Sequence, residues 1–118
     1  MRCFVACSAW MWARAMSPSA YSPAVEDALR RAGPNRESLE GALSAASGEE
    51  REGTEFLIAN MPLPDLASLS GDLLVENVAL ACSAWKQAPW GGLIPKDVFL
   101  NLVIPYASVT EKREAWRP

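Results

Sequence analysis

Apolar residues recur at helical spacing in five segments of the chain. Positions i, i+3, i+4 and i+7 lie on one face of an α-helix, so residues at that spacing can form a buried stripe. The pattern runs through residues 24–32, 35–47, 49–61, 72–88 and 95–104. It predicts five helices, each with one apolar face turned towards a shared core.

Residues 72–88 carry the longest of these patterns. Their apolar stripe steps by four, three and four residues through Leu74, Val78, Ala81 and Trp85. Ser70 or Asp72 can open this helix, and Pro89 with the glycines that follow can end it. This segment is therefore predicted to be the central helix of the fold.

Proline, glycine and small polar residues predict where the other helices begin and end. Gly33 and Pro34 end the first helix, and Asn35 is a suitable N-cap for the second. Residues 62–70, PLPDLASLS, are predicted to be a loop because they contain two prolines and small polar residues. In the last helix the residues predicted to face the core are Val98, Phe99, Leu102 and Val103.

Helical patterns joined by short connections predict an all-α protein. The expected fold is an irregular bundle of about five helices with an extended or disordered N-terminal leader and C-terminal tail. Residues 1–23 form the leader and flexible entry, and residues 24–118 form the helical domain. A chain of 118 residues has room for one modest core.

The N-terminal leader has three interpretations, which stay open. The apolar run after Arg2, followed by Ala13-Arg14-Ala15, fits a secretory signal peptide. Cys7 could instead be the lipidated cysteine of a lipoprotein signal whose upstream part is missing, or the protein could begin near Met16. A signal peptide would place the protein in the periplasm or outside the cell; otherwise it is expected in the cytoplasm.

The chain contains no histidine. Histidine is the most frequent general base in enzymes and the commonest protein ligand of metals, so neither a Ser-His nor a Cys-His couple can form within this chain. The three cysteines, Cys3, Cys7 and Cys82, are too few for a four-cysteine zinc site. We expect no catalytic residue, metal ligand or cofactor-binding residue, and hence no enzyme activity in this chain.

Charge and hydropathy restrict the partners. The net charge is −3, and lysine and arginine form no stripe along which nucleic-acid phosphates could bind. No apolar segment is long enough for a transmembrane helix. The expected partner is therefore another protein surface.

Three features of the predicted central helix and its surroundings could carry chemistry. Cys82 lies in the apolar stripe, where a free cysteine behaves as a small buried hydrophobe. Glu76 and Asn77 lie in this helix, where a buried carboxylate could act as a base, but such a pair more often faces solvent or caps a neighbouring helix end. Trp85, Trp90 and Trp116 could line a sugar or peptide site, yet core packing is favoured, because aromatic side chains supply much of a small core. Trp85 lies on the core stripe, and Trp90 lies in a turn that can fold over it.

Several ordered segments resemble the region that precedes the catalytic core in bacterial transglutaminase-like proteins. The resemblance extends from about Val25 to Arg117, and no single segment is decisive. The residues that carry it are Phe56-Leu57-Ile58-Ala59-Asn60-Met61-Pro62, Ser70-Gly71-Asp72-Leu73-Leu74-Val75-Glu76-Asn77-Val78, Trp85, Pro89-Trp90, Phe99-Leu100-Asn101-Leu102-Val103-Ile104-Pro105-Tyr106, Glu111 and Trp116-Arg117.

This resemblance implies a larger protein whose core uses a cysteine, a histidine and an aspartate for acyl transfer or amide hydrolysis. The implied triad lies downstream of the Trp-Arg pair, so none of its residues falls in this chain. The helical region is then expected to support or shield that core, with contacts through Trp90, Tyr106, Trp116 and Arg117. The alternative is a stand-alone helical module that binds a protein partner through the surface between Trp90 and Tyr106.

Overall fold

The computed structural model describes residues 21–107 and 112–114. Within these ranges every regular element is helical, so the all-α prediction is confirmed. Cys3, Cys7 and most of the leader lie outside the described residues. So do Trp116 and Arg117, which were predicted to be contact residues. The helices are α1 (Pro23–Ala32), α2 (Arg36–Ala45), α3 (Gly48–Ala59), α4 (Leu63–Ser68), α5 (Gly71–Gln87) and α6 (Lys96–Val98), which continues directly into a π-helical segment (Phe99–Val103).

Helix α1 begins inside the segment that was expected to be a flexible entry. Ser22 is its N-cap, and the Ser22 hydroxyl accepts a hydrogen bond of 3.4 Å from the backbone N–H of Val25. Pro23 occupies the first turn, where its missing N–H has no helical partner to lose. The helix ends at Gly33, whose φ of 58° suits a residue without a Cβ.

Helix α4 occupies the segment that was predicted to be a loop. Pro62 is its N-cap residue and Pro64 lies in its first turn. Prolines are tolerated at both positions, because the first N–H groups of a helix have no intrahelical acceptor. The two prolines therefore mark the start of a helix here, and the prediction of a loop was wrong.

Asn35 was predicted to be the N-cap of α2, but its side chain does not cap that helix. The Asn35 amide nitrogen instead donates hydrogen bonds of 2.9 Å to the carbonyl oxygens of both Leu66 and Leu69. These carbonyls belong to the last turn of α4 and its C-cap, where backbone acceptors lack helical partners. Asn35 thus joins the start of α2 to the end of α4.

The core lies where α5 packs against α2 and α3, while α1 packs across α2, α3 and α4. As predicted, Leu74, Val78 and Ala81 of α5 are fully buried. Helix α5 also begins very close to α2, because a Cβ at Gly71 would lie 2.2 Å from the carbonyl oxygen of Ser38. The buried apolar residues from the other helices are Val25, Ala28, Leu29, Ala32, Leu39, Ala42, Leu43, Leu57, Ile58, Leu66 and Phe99.

The π-helical segment changes which residues of the last helix reach the core. The backbone N–H of Ile104 donates to the carbonyl of Phe99 at 3.0 Å, an i to i+5 bond that widens the turn. Phe99 is buried as predicted, but Leu102 is 77% exposed and Ile104 takes the buried position. The prediction that Leu102 faces the core was wrong because it assumed 3.6 residues per turn.

Candidate functional site

Two of the large exposed apolar residues in the described part of the chain lie in the turn that follows α5. Trp90, which is 50% exposed, immediately precedes a 3₁₀ turn (Gly91–Leu93), and Leu93, the last residue of that turn, is 83% exposed. Trp90 was predicted to be a contact residue, and its position at the surface leaves it accessible. Large exposed apolar side chains next to one another are typical of surfaces that meet another molecule.

Contacts with Trp85 hold this turn in place. The indole N–H of Trp85 donates a hydrogen bond of 2.9 Å to the carbonyl oxygen of Gly91. The backbone at Gly91 is packed so closely that a Cβ there would lie 1.8 Å from the Trp85 carbonyl oxygen. The backbone N–H of Gly91 also bonds to Ala88, and that of Leu93 bonds to Trp90, both at 2.9 Å. Trp90 and Leu93 therefore lie on a turn whose backbone is fixed by hydrogen bonds and close packing.

Trp85 is itself fixed by an aromatic stack. Its ring lies 4.2 Å from the ring of Phe99, centroid to centroid, with 12° between the ring planes. Trp85 is half-buried, so it belongs to the core on one side and to the surface turn on the other. The stack thus connects α5, the exposed turn and the π-helical segment.

A groove with a volume of about 270 Å³ opens beside the end of the last helix. The C-terminal end of α3, the beginning of α4 and the π-helical segment enclose it. Its lining is mainly apolar, with polar groups from two asparagines and three residues of a hydrogen-bonded network. The lining residues are Phe56, Leu57, Asn60, Met61, Pro62, Asp65, Leu100, Asn101, Pro105, Tyr106, Ala107 and Arg113.

Asp65 is the centre of that network. The Tyr106 hydroxyl donates to Asp65 Oδ2 at 2.7 Å, and Arg113 Nε donates to both carboxylate oxygens at 3.1 Å. The Asp65 side chain is 10% exposed and that of Arg113 is 30% exposed, so the carboxylate is largely removed from water while the guanidinium stays partly hydrated. A buried carboxylate requires such partners to offset the loss of its hydration.

Tyr106 was expected on an exposed contact surface, but the structure corrects this. Its side chain is 8% exposed, and its hydroxyl is committed to Asp65. Burial, followed by the hydrogen bond to Asp65, raises the Tyr106 pKa well above its ordinary value. Tyr106 is therefore a neutral hydrogen-bond donor within the fold, and its apolar ring packs inward.

The predicted candidates on α5 occupy structural positions. Asn77 is buried, and its amide nitrogen donates to the carbonyl oxygen of Ile104 at 2.6 Å, which satisfies a backbone acceptor at the end of the last helix. Glu76 is exposed. Cys82 is buried, and the loss of hydration raises the pKa of its thiol, so the unreactive protonated form is favoured.

The residues described by the structure provide no metal site: no three of their carboxylate or thiol groups come together in a way that could hold an ion. Each buried polar side-chain atom among them has a hydrogen-bond partner. Among the polar residues of the groove, Asp65, Tyr106 and Arg113 bond to one another, while Asn60 and Asn101 donate to the backbone carbonyls of Phe56 and Asp97.

Sequence reasoning missed the two charged members of the network. Asp65 was assigned to a loop, and Arg113 to a polar tail. The signal that could have found Asp65 is its position in the first turn of α4, after Pro62, where a carboxylate favours a helix start. Nothing in the local sequence indicates its pairing with a residue 48 positions away.

Comparison of the chain with known protein families, with curated proteins and with solved structures finds no match. None of the helices in the described ranges is long and apolar enough to cross a bilayer.

Proposed function

We propose that this chain is the non-catalytic helical N-terminal segment of a transglutaminase-like protein. In this role it binds and supports a downstream core that uses a Cys-His-Asp triad for acyl transfer or amide hydrolysis. The family assignment rests on the ordered segments between Val25 and Arg117. Its contact surface centres on Trp90 and Leu93.

One observation carries the proposal: the residues of the resemblance and the residues that hold the C-terminal half together are largely the same. Trp85 stacks on Phe99, Asn77 binds the Ile104 carbonyl, and Tyr106 closes on Asp65. All of these residues except Asp65 belong to the segments that carry the resemblance. A shared sequence pattern that coincides with a packing unit is what a common fold requires, because long-range contacts constrain several residues at once.

The exposed turn supports the contact role. Trp90 and Leu93 are held outward by the backbone contacts around Gly91, so little conformational freedom is lost when a partner covers them. Tryptophan in a fixed position is the side chain most often found to contribute strongly to binding. Trp116 and Arg117 remain proposed contacts that lie outside the described residues.

The coding DNA downstream of the Pro118 codon tests the family assignment. We expect an in-frame continuation that encodes a cysteine and, later, a histidine and an aspartate. An immediate stop codon with no adjacent open reading frame for such a core would contradict the assignment.

Calorimetry tests the supporting role, with the helical chain titrated into the separately expressed core. Leu93→Ser and Trp90→Ala are expected to weaken binding about tenfold or more, as hot-spot truncations do. Leu63→Ser is the matched control. Leu63 is 56% exposed on α4, which precedes the start of α5, whereas Trp90 follows the end of α5. The 17 residues of α5 span about 25 Å.

The alternative is a stand-alone helical module that binds a protein partner through the same turn. The exposure of Trp90 and Leu93 is the observation in its favour. It predicts a stop codon after Pro118 and a soluble monomer that captures a partner, and Leu93→Ser would abolish this capture. The downstream sequence therefore separates the two functions before any binding is measured.

A further inference from the structure

The π-helical turn of the last helix places one extra residue between two buried positions. The backbone N–H of Ile104 bonds to the carbonyl of Phe99, five residues earlier, at 3.0 Å. In an α-helix the bonds join residues four apart, so Val103 rather than Ile104 would lie beneath Phe99. π-helical turns are rare and are frequent at functional sites, so this one calls for a physical explanation.

The segment contains apolar residues that suit either kind of turn. At the spacing of an α-helix, Leu102 and Val103 would join Phe99 on the buried face. In the π-helical turn Ile104 is fully buried instead, Val103 is half-buried and Leu102 is 77% exposed. Each arrangement therefore buries a large aliphatic side chain that the other leaves in water, and the hydrophobic effect alone distinguishes them only weakly.

The contact of Ile104 with Gly53 in α3 favours the π-helical turn. A Cβ at Gly53 would lie 2.3 Å from Ile104 Cδ1, so Ile104 fills the space that a side chain at position 53 would occupy. Valine has no δ-carbon, so Val103 in the same place would leave this space empty. The amide nitrogen of Asn77 donates to the Ile104 carbonyl at 2.6 Å, a bond that the carbonyl of Val103 could also accept.

We propose that the last helix is a switch between two registers. In the π register, described above, Ile104 packs against Gly53, and in the α register Val103 takes its place. The exchange moves the residues after the turn by one position, which is about 1.5 Å along the helix axis. Gly53 sets the balance, because only a residue without a side chain leaves room for the δ-carbon of Ile104.

The exchange changes two features of the surface. Leu102 is exposed in the π register and covered in the α register. Tyr106 lines the groove and donates to Asp65 in the π register, and in the α register it moves away from that carboxylate. A molecule that contacts either feature binds the two registers unequally and so shifts their populations. This property belongs to the chain itself and does not depend on a downstream core.

Methyl NMR of the full chain tests the exchange, because the sequence contains only three isoleucines, Ile58, Ile94 and Ile104. In the wild-type protein the Ile104 δ1-methyl group should show relaxation dispersion on the microsecond-to-millisecond timescale, with an α-register population of about 1–10%. Ile58 is fully buried in α3 and should show no dispersion. An Ile104 methyl group without dispersion would overturn the proposal.

Gly53→Ala is expected to raise the ratio of α to π register about tenfold or more, because its Cβ would overlap Ile104 Cδ1. Nuclear Overhauser contacts of the new methyl group at position 53 should then reach Val103 rather than Ile104. Gly41→Ala is the matched control, because Gly41 lies in α2 and a Cβ there meets nothing within 4 Å. Contacts from position 53 to Ile104 in a folded Gly53→Ala variant would also overturn the proposal.

Deletion of Leu102 provides a second test that does not require Gly53→Ala to fold. It makes Ile104 the fourth residue after Phe99, so an ordinary α-helix brings Ile104 against Gly53 and the reason for exchange is removed. We expect a folded protein in which the Ile104 dispersion is lost. Unchanged dispersion would show that the motion has another cause and would contradict the two registers, and no result of these experiments bears on the downstream coding sequence.

Discussion

The indole ring of Trp85 stacks on the phenyl ring of Phe99 at a centroid distance of 4.2 Å, and the indole N–H of Trp85 binds the Gly91 carbonyl. One side chain therefore fixes both the π-helical segment and the turn that exposes Trp90. This arrangement makes the stability of the fold and the geometry of the proposed contact surface depend on the same residue.

Trp85→Ala is expected to lower the free energy of unfolding by about 3 kcal/mol, the lower end for loss of a large aromatic, because Trp85 is half-buried. Urea denaturation followed by circular dichroism measures the change. Trp90→Ala removes the same side chain from an exposed site and should change the stability by less than about 0.5 kcal/mol. Equal losses of unfolding free energy in the two variants would show that the stack of Trp85 on Phe99 does not stabilise the fold.

Gly91 and Gly92 provide a matched pair of substitutions in the exposed turn. Gly91→Ala would place a Cβ 1.8 Å from the Trp85 carbonyl oxygen, so the backbone must shift, at a cost of about 1–3 kcal/mol or more. Gly92→Ala meets nothing within 4 Å and should be close to neutral. Thermal unfolding of both variants tests the difference, and a neutral Gly91→Ala would contradict the observed packing.

Asn77→Ala is expected to destabilise the protein by about 1–3 kcal/mol, since it leaves the Ile104 carbonyl without its 2.6 Å hydrogen bond in a buried site. Asn101→Ala removes an exposed amide, bound to the Asp97 carbonyl within the same helix, and is the control. Hydrogen exchange should show faster opening of the last helix in Asn77→Ala than in the control. Equal exchange rates would contradict a capping role for Asn77.

Tyr106 is expected to make the free energy of unfolding depend on pH in the alkaline range. Its pKa is raised in the folded state from an ordinary value of about 10, so the unfolded chain loses this proton first. The stabilisation that the protonated Tyr106 gives the folded state is fully present below the ordinary pKa of about 10, and it is lost as the pH rises above that value. Wild-type protein should therefore lose more stability than Tyr106→Phe between about pH 9 and about pH 11. Parallel stability curves for the two proteins would show that Tyr106 ionises normally.

The sequence alone predicted the positions of five helices because each combines an apolar period of 3.6 with nearby proline or glycine. The stripe through Leu74, Val78 and Ala81 is buried as predicted, and so is Cys82. Their burial follows from local sequence, because the apolar face of an amphipathic helix packs against the core. That face depends only on residues within a few turns.

Only the tertiary structure decided how the polar residues are used. Asn35 binds the end of another helix, Asp65 holds Tyr106 and Arg113, and the burial of Tyr106 removes it from the exposed surface. Their partners lie about 30 to 48 residues away in sequence. The residues around a hydrogen-bonding side chain do not indicate which distant group it will bind. The sequence by itself determined which face of the central helix α5 is buried, whereas the packing of the helices determined which polar groups meet, because groups that are distant in sequence come together only in the packed fold.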